Sequence, residues 1–187
     1  MTLPTELKAF QAAARSGKRF KYVFFWGHRP KRAGVTDSAC FSNWFAAPFT
    51  VEGIRYASAE HYMMAGKARL FGDADALQRI LGASSPGAAK RFGREVRGFD
   101  EETWVAERSR IVEEGVHAKF AQNGELRAFL VATKKRVLVE ASPKDRIWGI
   151  GLSADDERAA NPLLWNGLNL LGFALMRARR ALVEEPR

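Results

Sequence analysis

The sequence predicts an α+β fold, a single compact domain that is mainly helical with a few short strands. Its 187 residues, 47% of them hydrophobic, match the usual size of one domain and suffice to bury a core. Helix caps and amphipathic patterns recur along the chain, whereas strand-like runs are few and short. Helices and strands also do not alternate in the regular order of a doubly wound parallel sheet.

The first part of the chain predicts one helix, one strand and a hairpin. Residues 5–15 have the pattern of a short amphipathic helix, and Tyr22–Trp26 is an apolar run typical of a buried strand. Two strand-like triplets, Phe49–Val51 and Ile54–Tyr56, flank the dipeptide Glu52-Gly53. An X-Gly pair between two such runs predicts a tight β-hairpin.

Polar capping residues predict the helices that follow. A Ser or Asp side chain accepts a hydrogen bond from a free N–H group of the first helical turn. Four helices are therefore predicted to start after Ser58, Asp73, Ser85 and Asp100. The pattern then predicts a fifth helix over 126–132, a strand over 136–140, and a last helix that starts at Asn161-Pro162 and ends near Arg179.

Charge and cysteine content limit the class of protein. The formal net charge of +9 favours anionic partners such as phosphates, nucleotides or nucleic acid. The single cysteine, Cys40, cannot form an internal disulfide, and no Cys/His pairs have the spacing of a zinc site. No signal-peptide core or membrane-spanning apolar run is present. We therefore expect a cytoplasmic protein that binds no membrane and no metal.

Two segments carry polar and aromatic residues that a plain core does not need. Asn43 and Trp44 either form a packed loop or offer a hydrogen-bonding and stacking edge for a base. Glu60 lies in the first turn of a predicted helix, where the helix dipole alone is a sufficient reason for a carboxylate. Lys67 follows seven residues later, about 10 Å along the same face. Such a face suits a ligand with a phosphate at one end.

Two further segments have the composition of binding sites. Asp145 and Trp148 lie in a Gly-rich loop directly after a predicted strand, a usual place for functional residues, although a solvated charge cluster is the alternative. Lys90 and Arg94 follow the predicted helix start at Ser85-Pro86. A helix N-terminus with basic residues can bind phosphate, and a solvated helix face is again the alternative.

Ordered along the chain, these fragments resemble the NADAR, or YbiA-like, family. The resemblance extends from about Phe24 to Arg179. It rests on Ser42-Asn43, Ser58-x-Glu60-His61-Tyr62, Lys67-Ala68, Ser85-Pro86…Lys90…Gly93-Arg94, Trp104, Lys119-Phe120, Leu138-Val139-Glu140, Asp145-x-x-Trp148-Gly149-x-Gly151 and Asn169-x-Leu171-Gly172. It implies three segments: a basic N-terminal extension (1–21), a NADAR/YbiA-like catalytic domain (22–180) and a C-terminal tail (181–187).

The resemblance implies an N-glycosidase that needs no metal or other cofactor. Family substrates include early riboflavin-pathway intermediates, in which ribose phosphate is attached to an aminopyrimidine, and in other branches ADP-ribose on guanine in nucleic acid. Glu60 is then the carboxylate beside the anomeric carbon, with Asp145 as the second acid. The implied substrate-binding residues are Lys67 and Arg94 for phosphate, and Asn43, Trp104 and Trp148 for the base. Lys90 and Trp44 complete the candidate substrate-binding residues.

Two departures from the family pattern leave the substrate open. Met64 stands where family members often carry Gln, which affects base or ribose recognition. The basic N-terminal extension lies outside the matched region and favours a substrate linked to nucleic acid. The alternatives are therefore a glycosidase for phosphoribosylated metabolites, an ADP-ribosyl hydrolase for nucleic acid, and a non-catalytic module that binds ADP-ribose or nucleic acid.

Overall fold

A computed structural model describes residues 3–184 and confirms a mainly helical α+β fold with a few short strands. The described residues form seven α-helices and four strands. In chain order these are α1 (Leu7–Arg15), β1 (Tyr22–Phe25), β2 (Phe49–Val51), β3 (Ile54–Tyr56), α2 (Ala59–Leu70), α3 (Ala74–Leu81), α4 (Pro86–Arg94), α5 (Glu101–Gln122), α6 (Gly124–Ala132), β4 (Val137–Glu140) and α7 (Leu170–Glu184). Within residues 3–184, no helix is long and apolar enough to cross a membrane.

The chain divides into two units of dense internal contact. Unit 1 consists of Met1–Ser42 and Glu125–Arg187, and unit 2 is Asn43–Gly124. In unit 1, β1 pairs with β4 in parallel, from Tyr22 opposite Val137 to Phe25 opposite Glu140, and α7 packs against β4. Parallel strands bring their carboxyl ends to the same edge.

Helix α1 belongs to the core of unit 1. Its residue Phe10 is fully buried, with ring centroids 5.5 Å from Trp165 and 6.1 Å from Phe173. The N-terminal segment is therefore held by apolar packing, which stabilises a buried aromatic ring by about 2 kcal/mol.

Unit 2 contains the β2–β3 hairpin and helices α2 to α5. Glu52 (φ 50°) and Gly53 (φ 76°) occupy its turn, and two successive positive φ angles are typical of a type I′ hairpin. Helix α2 packs against α3, α4 and α5. Helices α2 and α5 approach each other closely at Gly115 of α5, where an added Cβ would lie 2.5 Å from the Tyr62 ring of α2. This close packing requires a small residue at that position.

All four predicted helix caps are confirmed, and all lie in unit 2. Each cap side chain accepts a hydrogen bond from the backbone N–H three residues later. The pairs are Ser58 with His61, Asp73 with Ala76, Ser85 with Ala88 and Asp100 with Thr103. Each of these helix starts depends on a hydrogen bond between residues three apart in the sequence, which explains why the sequence predicts them well.

The predicted start of the last helix at Asn161-Pro162 is wrong. Asn161 does cap a helical turn, but this is a short 3₁₀ helix, Pro162–Leu164. The chain is then extended at Trp165, whose Nε1–H donates to the carbonyl oxygen of Ala159. Helix α7 begins only at Leu170, and it continues past the predicted end to Glu184. The rest of the predicted tail, 185–187, lies outside the described residues.

Candidate active site

Glu60 is a buried carboxylate at the N-terminus of α2. It is the second helical residue, only 2% of its surface is exposed, and its N–H donates to the carbonyl oxygen of Asn43 over 2.9 Å. The cap of this helix is Ser58, so capping does not require the Glu60 carboxylate. A fully buried Glu is uncommon, and the positive end of the helix dipole stabilises its charge. Helix capping therefore does not explain why Glu60 is here.

Asn43 adjoins Glu60 and has an open acceptor. Its side chain is buried, and its Oδ1 has no hydrogen-bond partner among the described residues. A buried amide oxygen without a partner is costly in a folded protein. A donor group of a bound ligand would satisfy it. Asn43 and Glu60 are thus a pair that the sequence predicted and the structure brings together.

Lys119 adds a buried cation to unit 2. It is 1% exposed, and its Nζ lies 5.4 Å from the ring centroid of Phe45. Helices α2 and α5 run antiparallel, because Tyr62 faces Gly115 whereas Lys67 faces Trp104 further along α2. That register places Lys119, near the end of α5, at the same end of the helix pair as Glu60. The buried Glu60 carboxylate and the buried Lys119 cation therefore lie at the same end of the α2–α5 pair.

Lys67 and Trp104 meet at the other end of the same helix pair. The Lys67 Nζ lies 4.0 Å from the ring centroid of Phe99 and 5.7 Å from that of Trp104. Partial burial lowers the pKa of Lys67, and the neighbouring Glu101 carboxylate opposes that shift. Arg108 is 7% exposed, and its Nε has no hydrogen-bond partner in the described part of the chain. The Lys67 cation and the two rings suit an anionic ligand with an aromatic part.

Trp44 and Lys90 form a second contact between predicted residues. The Lys90 Nζ lies 5.8 Å from the Trp44 ring centroid. A Cβ added at Gly87, in the first turn of α4, would lie 3.5 Å from the Trp44 ring. Trp44 therefore lies against the start of α4, where Ser85 is the cap. Arg94 is the last residue of the same helix, and its side chain is exposed.

Met64 has a packing role between helices. Its side chain is buried, and a Cβ added at Gly93 of α4 would lie 2.1 Å from its Sδ. A thioether fills such an irregular space between two helices well. Met64 therefore forms part of the contact between α2 and α4.

His61 forms two hydrogen bonds that hold the start of α2. Its Nδ1 lies 2.8 Å from the Ser58 Oγ, and its Nε2 lies 3.1 Å from the carbonyl oxygen of Ala83. These distances fit a neutral ring in which Nε2–H donates to Ala83 and Nδ1 accepts from Ser58. Burial lowers the pKa of His61 below its usual 6.5. Among residues 3–184, no group of three His, Cys, Asp or Glu is placed to hold a metal ion.

The lowered pKa of His61 predicts a loss of stability in mild acid. The unfolded chain binds a proton at His61 near pH 6.5 and the folded chain only at lower pH, so protonation favours unfolding. We expect the free energy of unfolding to fall as the pH is lowered from about 7.5 to about 5.5. In His61→Gln this fall should be smaller, whereas the matched control His28→Gln should keep it. Urea unfolding at a series of pH values measures both; equal slopes in all three proteins would contradict the prediction.

In unit 1, Asp145 and Trp148 lie in the loop that follows β4. The Asp145 Oδ1 accepts hydrogen bonds from the N–H groups of Ile147 and Trp148, each 2.8 Å long. One carboxylate oxygen of Asp145 therefore shapes its own loop, and Trp148 is half-buried. A catalytic role for Asp145 stays a prediction. Glu60 and the other predicted site residues belong to unit 2.

Asn169 fixes this loop to the end of β4. It is fully buried, its Oδ1 accepts from the N–H of Glu140, and its Nδ2 donates to the carbonyl oxygen of Leu138, both at 3.0 Å. Its own N–H donates to the carbonyl oxygen of Gly149. Asn169 has a φ of 54°, a conformation that Asn tolerates better than most residues. The loop is thus rigidly mounted.

Three buried polar residues were absent from the predicted site residues: Lys119 and Arg108 in unit 2, and Asn169 in unit 1. Lys119 and Asn169 did appear within the fragments that resemble the family, but without a role. The signal for Lys119 is a lysine within an otherwise buried stripe of α5 that includes Val116 and Phe120. Arg108 carries no such signal, since an arginine on a long helix is usually solvated.

Comparisons with known proteins agree with this fold. The family model described as the NADAR domain matches residues 24–183. N-glycosidase R617 of Acanthamoeba polyphaga mimivirus is 43% identical over 164 residues, covering 85% of this chain and 95% of the relative. N-glycosidase YbiA of Escherichia coli is 34% identical, covering 80% and 84% of the two chains. The solution NMR structure of E. coli YbiA matches with a TM-score of 0.68 and 28% identity, covering 99% and 98% of the chains.

These matches establish the class of the protein. The chain belongs to the NADAR domain family, with the YbiA-like fold. Among relatives at this level of similarity, R617 and YbiA are both named N-glycosidases, while Protein irg-1 of Caenorhabditis elegans, 32% identical, has a name that states no activity.

Proposed function

We propose that this protein is an N-glycosidase that hydrolyses the bond between a phosphorylated ribose and a nitrogenous base, as in early riboflavin-pathway intermediates. The observation that carries the proposal is the buried Glu60 carboxylate beside Asn43. The Oδ1 of Asn43 has no hydrogen-bond partner among the described residues, so a ligand donor can bind it. The names of the similar relatives R617 and YbiA support the same class of reaction.

The chemistry requires one carboxylate at the sugar. As the bond from C1′ to the base nitrogen breaks, its electron pair leaves with the base, and positive charge develops on C1′ and the ring oxygen. The Glu60 carboxylate stabilises that charge and accepts a proton from the attacking water. The water oxygen bonds to C1′, and the proton that Glu60 took up is given to the base nitrogen, which restores the carboxylate. The products are the free amine and ribose 5-phosphate.

The remaining predicted residues bind the two ends of the substrate. Lys67, Lys90 and Arg94 supply charge for phosphate, and the rings of Trp44 and Trp104 each lie near one of these cations. A cation beside an aromatic face can hold phosphate while the ring stacks on a base. Roles for Trp148 at the base and for Asp145 as the second acid stay predictions from the family resemblance, because both residues belong to unit 1.

A second candidate function is removal of ADP-ribose from guanine in nucleic acid. The net charge of +9 favours it, because such a substrate is a polyanion. The third candidate, a module that binds ADP-ribose or nucleic acid without turnover, needs no acid. A buried glutamate at a costly position favours catalysis over mere binding.

A substrate panel tests the proposal. The protein is incubated with phosphoribosylated aminopyrimidines from the riboflavin pathway and, separately, with DNA or RNA that carries ADP-ribose on guanine. We expect release of ribose 5-phosphate from the first set. Release of ADP-ribose from the second set alone would establish the alternative, and binding without any release would establish the non-catalytic module.

A further inference from the structure

The parallel pairing of β1 and β4 brings two basic runs together. Residues 18–21 directly precede β1 and contain Lys18, Arg19 and Lys21, and residues 134–136 directly precede β4. The strands pair from Tyr22 opposite Val137, and the Val137 N–H donates to the carbonyl oxygen of Lys21 over 2.8 Å. The two runs therefore lie side by side at the amino-terminal edge of the strand pair, although more than a hundred residues separate them.

A cavity of about 770 Å³ lies between these runs. Its cationic wall is the basic groove, defined by Lys18, Arg19, Lys21, Lys134, Lys135 and Arg136, and none of the described residues that line it is acidic. Phe20 also lines the cavity. An adjoining cavity of about 570 Å³ shares Lys134 and Lys135 and adds Arg179, Arg180 and one acidic residue, Glu184. The positive charge is thus concentrated in a recess.

Part of this cationic wall is held rigidly. The Arg136 Nε donates to the carbonyl oxygen of Thr133, and the buried Arg179 donates through Nη1 to the carbonyl oxygen of Arg136 over 2.9 Å. Burial, together with the positive charge of Arg136, lowers the pKa of Arg179 to about 10, so it is still a cation at neutral pH. Like charges held this close repel each other, and an anionic ligand would offset that repulsion.

We propose that the basic groove binds the sugar–phosphate backbone of a single-stranded nucleic acid. Six cations along one recess exceed what a single phosphate needs, whereas a chain of phosphates would contact them in succession. A recessed site fits a strand better than a flat bilayer. The half-buried Phe20 ring packs against Phe10 at a centroid distance of 4.4 Å, and the Lys18 Nζ lies 5.7 Å from its centroid, so Phe20 adds an aromatic edge to this wall.

The basic groove is separate from the Asp145–Trp148 loop of unit 1. The Asp145–Trp148 loop follows the carboxyl end of β4, and the basic groove lies at the amino end of the same strand. Binding at the groove is therefore independent of whether the enzyme acts on a free metabolite or on a polymer. The proposal goes beyond the proposed function and does not rest on it.

Fluorescence anisotropy with a labelled 20-nucleotide single strand at several salt concentrations tests the proposal. The groove variant is Lys21→Ala/Lys135→Ala, which removes one exposed cation from each run. The control is Lys8→Ala/Arg55→Ala, which removes two exposed cations outside the groove. We expect the groove variant to bind roughly tenfold more weakly, with a salt slope shallower by about 1.4, while the control binds nearly as the wild type does.

Three results would overturn the proposal. Equal weakening in both variants would mean that only the overall charge matters, and unchanged binding in the groove variant would place the strand elsewhere. If vesicles containing phosphatidylserine bind the wild type more tightly than the oligonucleotide does, and the groove variant loses this binding, the partner is a membrane.

Circular dichroism verifies that the groove variant is folded. If it is unfolded, Lys21→Gln/Lys135→Gln replaces it. Ribose 5-phosphate release should be unchanged in the groove variant, so failure of the glycosidase proposal is read separately.

Discussion

Replacing Glu60 with Gln is expected to reduce turnover of the phosphoribosylated substrate by roughly 10²- to 10⁴-fold. The amide keeps the size of the side chain but neither stabilises positive charge at C1′ nor accepts the proton of water. Substrate binding should change much less, because phosphate and base contacts lie on other side chains. Steady-state release of ribose 5-phosphate, with the Michaelis constant measured in parallel, separates the two effects.

The matched control for this substitution is Glu102→Gln. Glu102 is an exposed glutamate in the first turn of α5, so it shares the helix-terminal position but not the burial of Glu60. We expect Glu102→Gln to retain wild-type turnover. If Glu60→Gln retains wild-type turnover as well, the mechanism proposed for Glu60 is wrong, whatever the substrate.

Gly172→Ala is expected to destabilise the protein by about 3 kcal/mol, with loss of activity. Its Cβ would lie 2.1 Å from the carbonyl oxygen of Leu138 and within 2.6 Å of both polar atoms of the Asn169 amide. Backbone oxygen cannot move away cheaply, so either α7 shifts or the two hydrogen bonds of Asn169 to β4 break. The loop with Asp145 would then lose its anchor. Urea unfolding measures the free-energy change.

Gly124→Ala is the control for the same chemical change. Gly124 is the first residue of α6, and an added Cβ there meets nothing within 4 Å. The free energy of unfolding should therefore change by less than about 1 kcal/mol, in the stabilising direction, because Ala favours helix more than Gly does. Similar effects of the two substitutions would show that α7 does not pack against β4 as closely as described.

Local signals were sufficient where one side chain decides the structure. The four capped helices start where Ser58, Asp73, Ser85 and Asp100 predict, and the hairpin turn is at Glu52-Gly53. The same reasoning failed at Asn161-Pro162, because a cap can begin a turn that tertiary contacts then stop. Trp165 donates to the carbonyl oxygen of Ala159, and Asn169 donates to that of Leu138, which is 31 residues earlier in the chain. Helix α7 begins only after these two residues.

The candidate site likewise combines residues that the sequence predicted with features that only the tertiary structure revealed. Sequence fragments indicated Glu60, Asn43, Lys67 and Trp104, since unusual residue types in order along the chain resemble the NADAR family, to which the chain belongs. The fragments did not reveal that Glu60 is buried without serving as the cap, nor that Asn43 has an open acceptor. They also left Arg108 unnoticed, because burial of one arginine depends on which helix face meets its neighbours.

By itself, the sequence determined the family, the α+β class and most element starts of this protein, because each depends on residue types close together along the chain or in a fixed order. Only the tertiary structure decided which side chains meet: Lys67 with Trp104, Trp44 with Lys90, and the two basic runs before β1 and β4. Those encounters join residues far apart in the chain. Helix packing and strand register determine these contacts, and no local sequence pattern encodes the packing or the register.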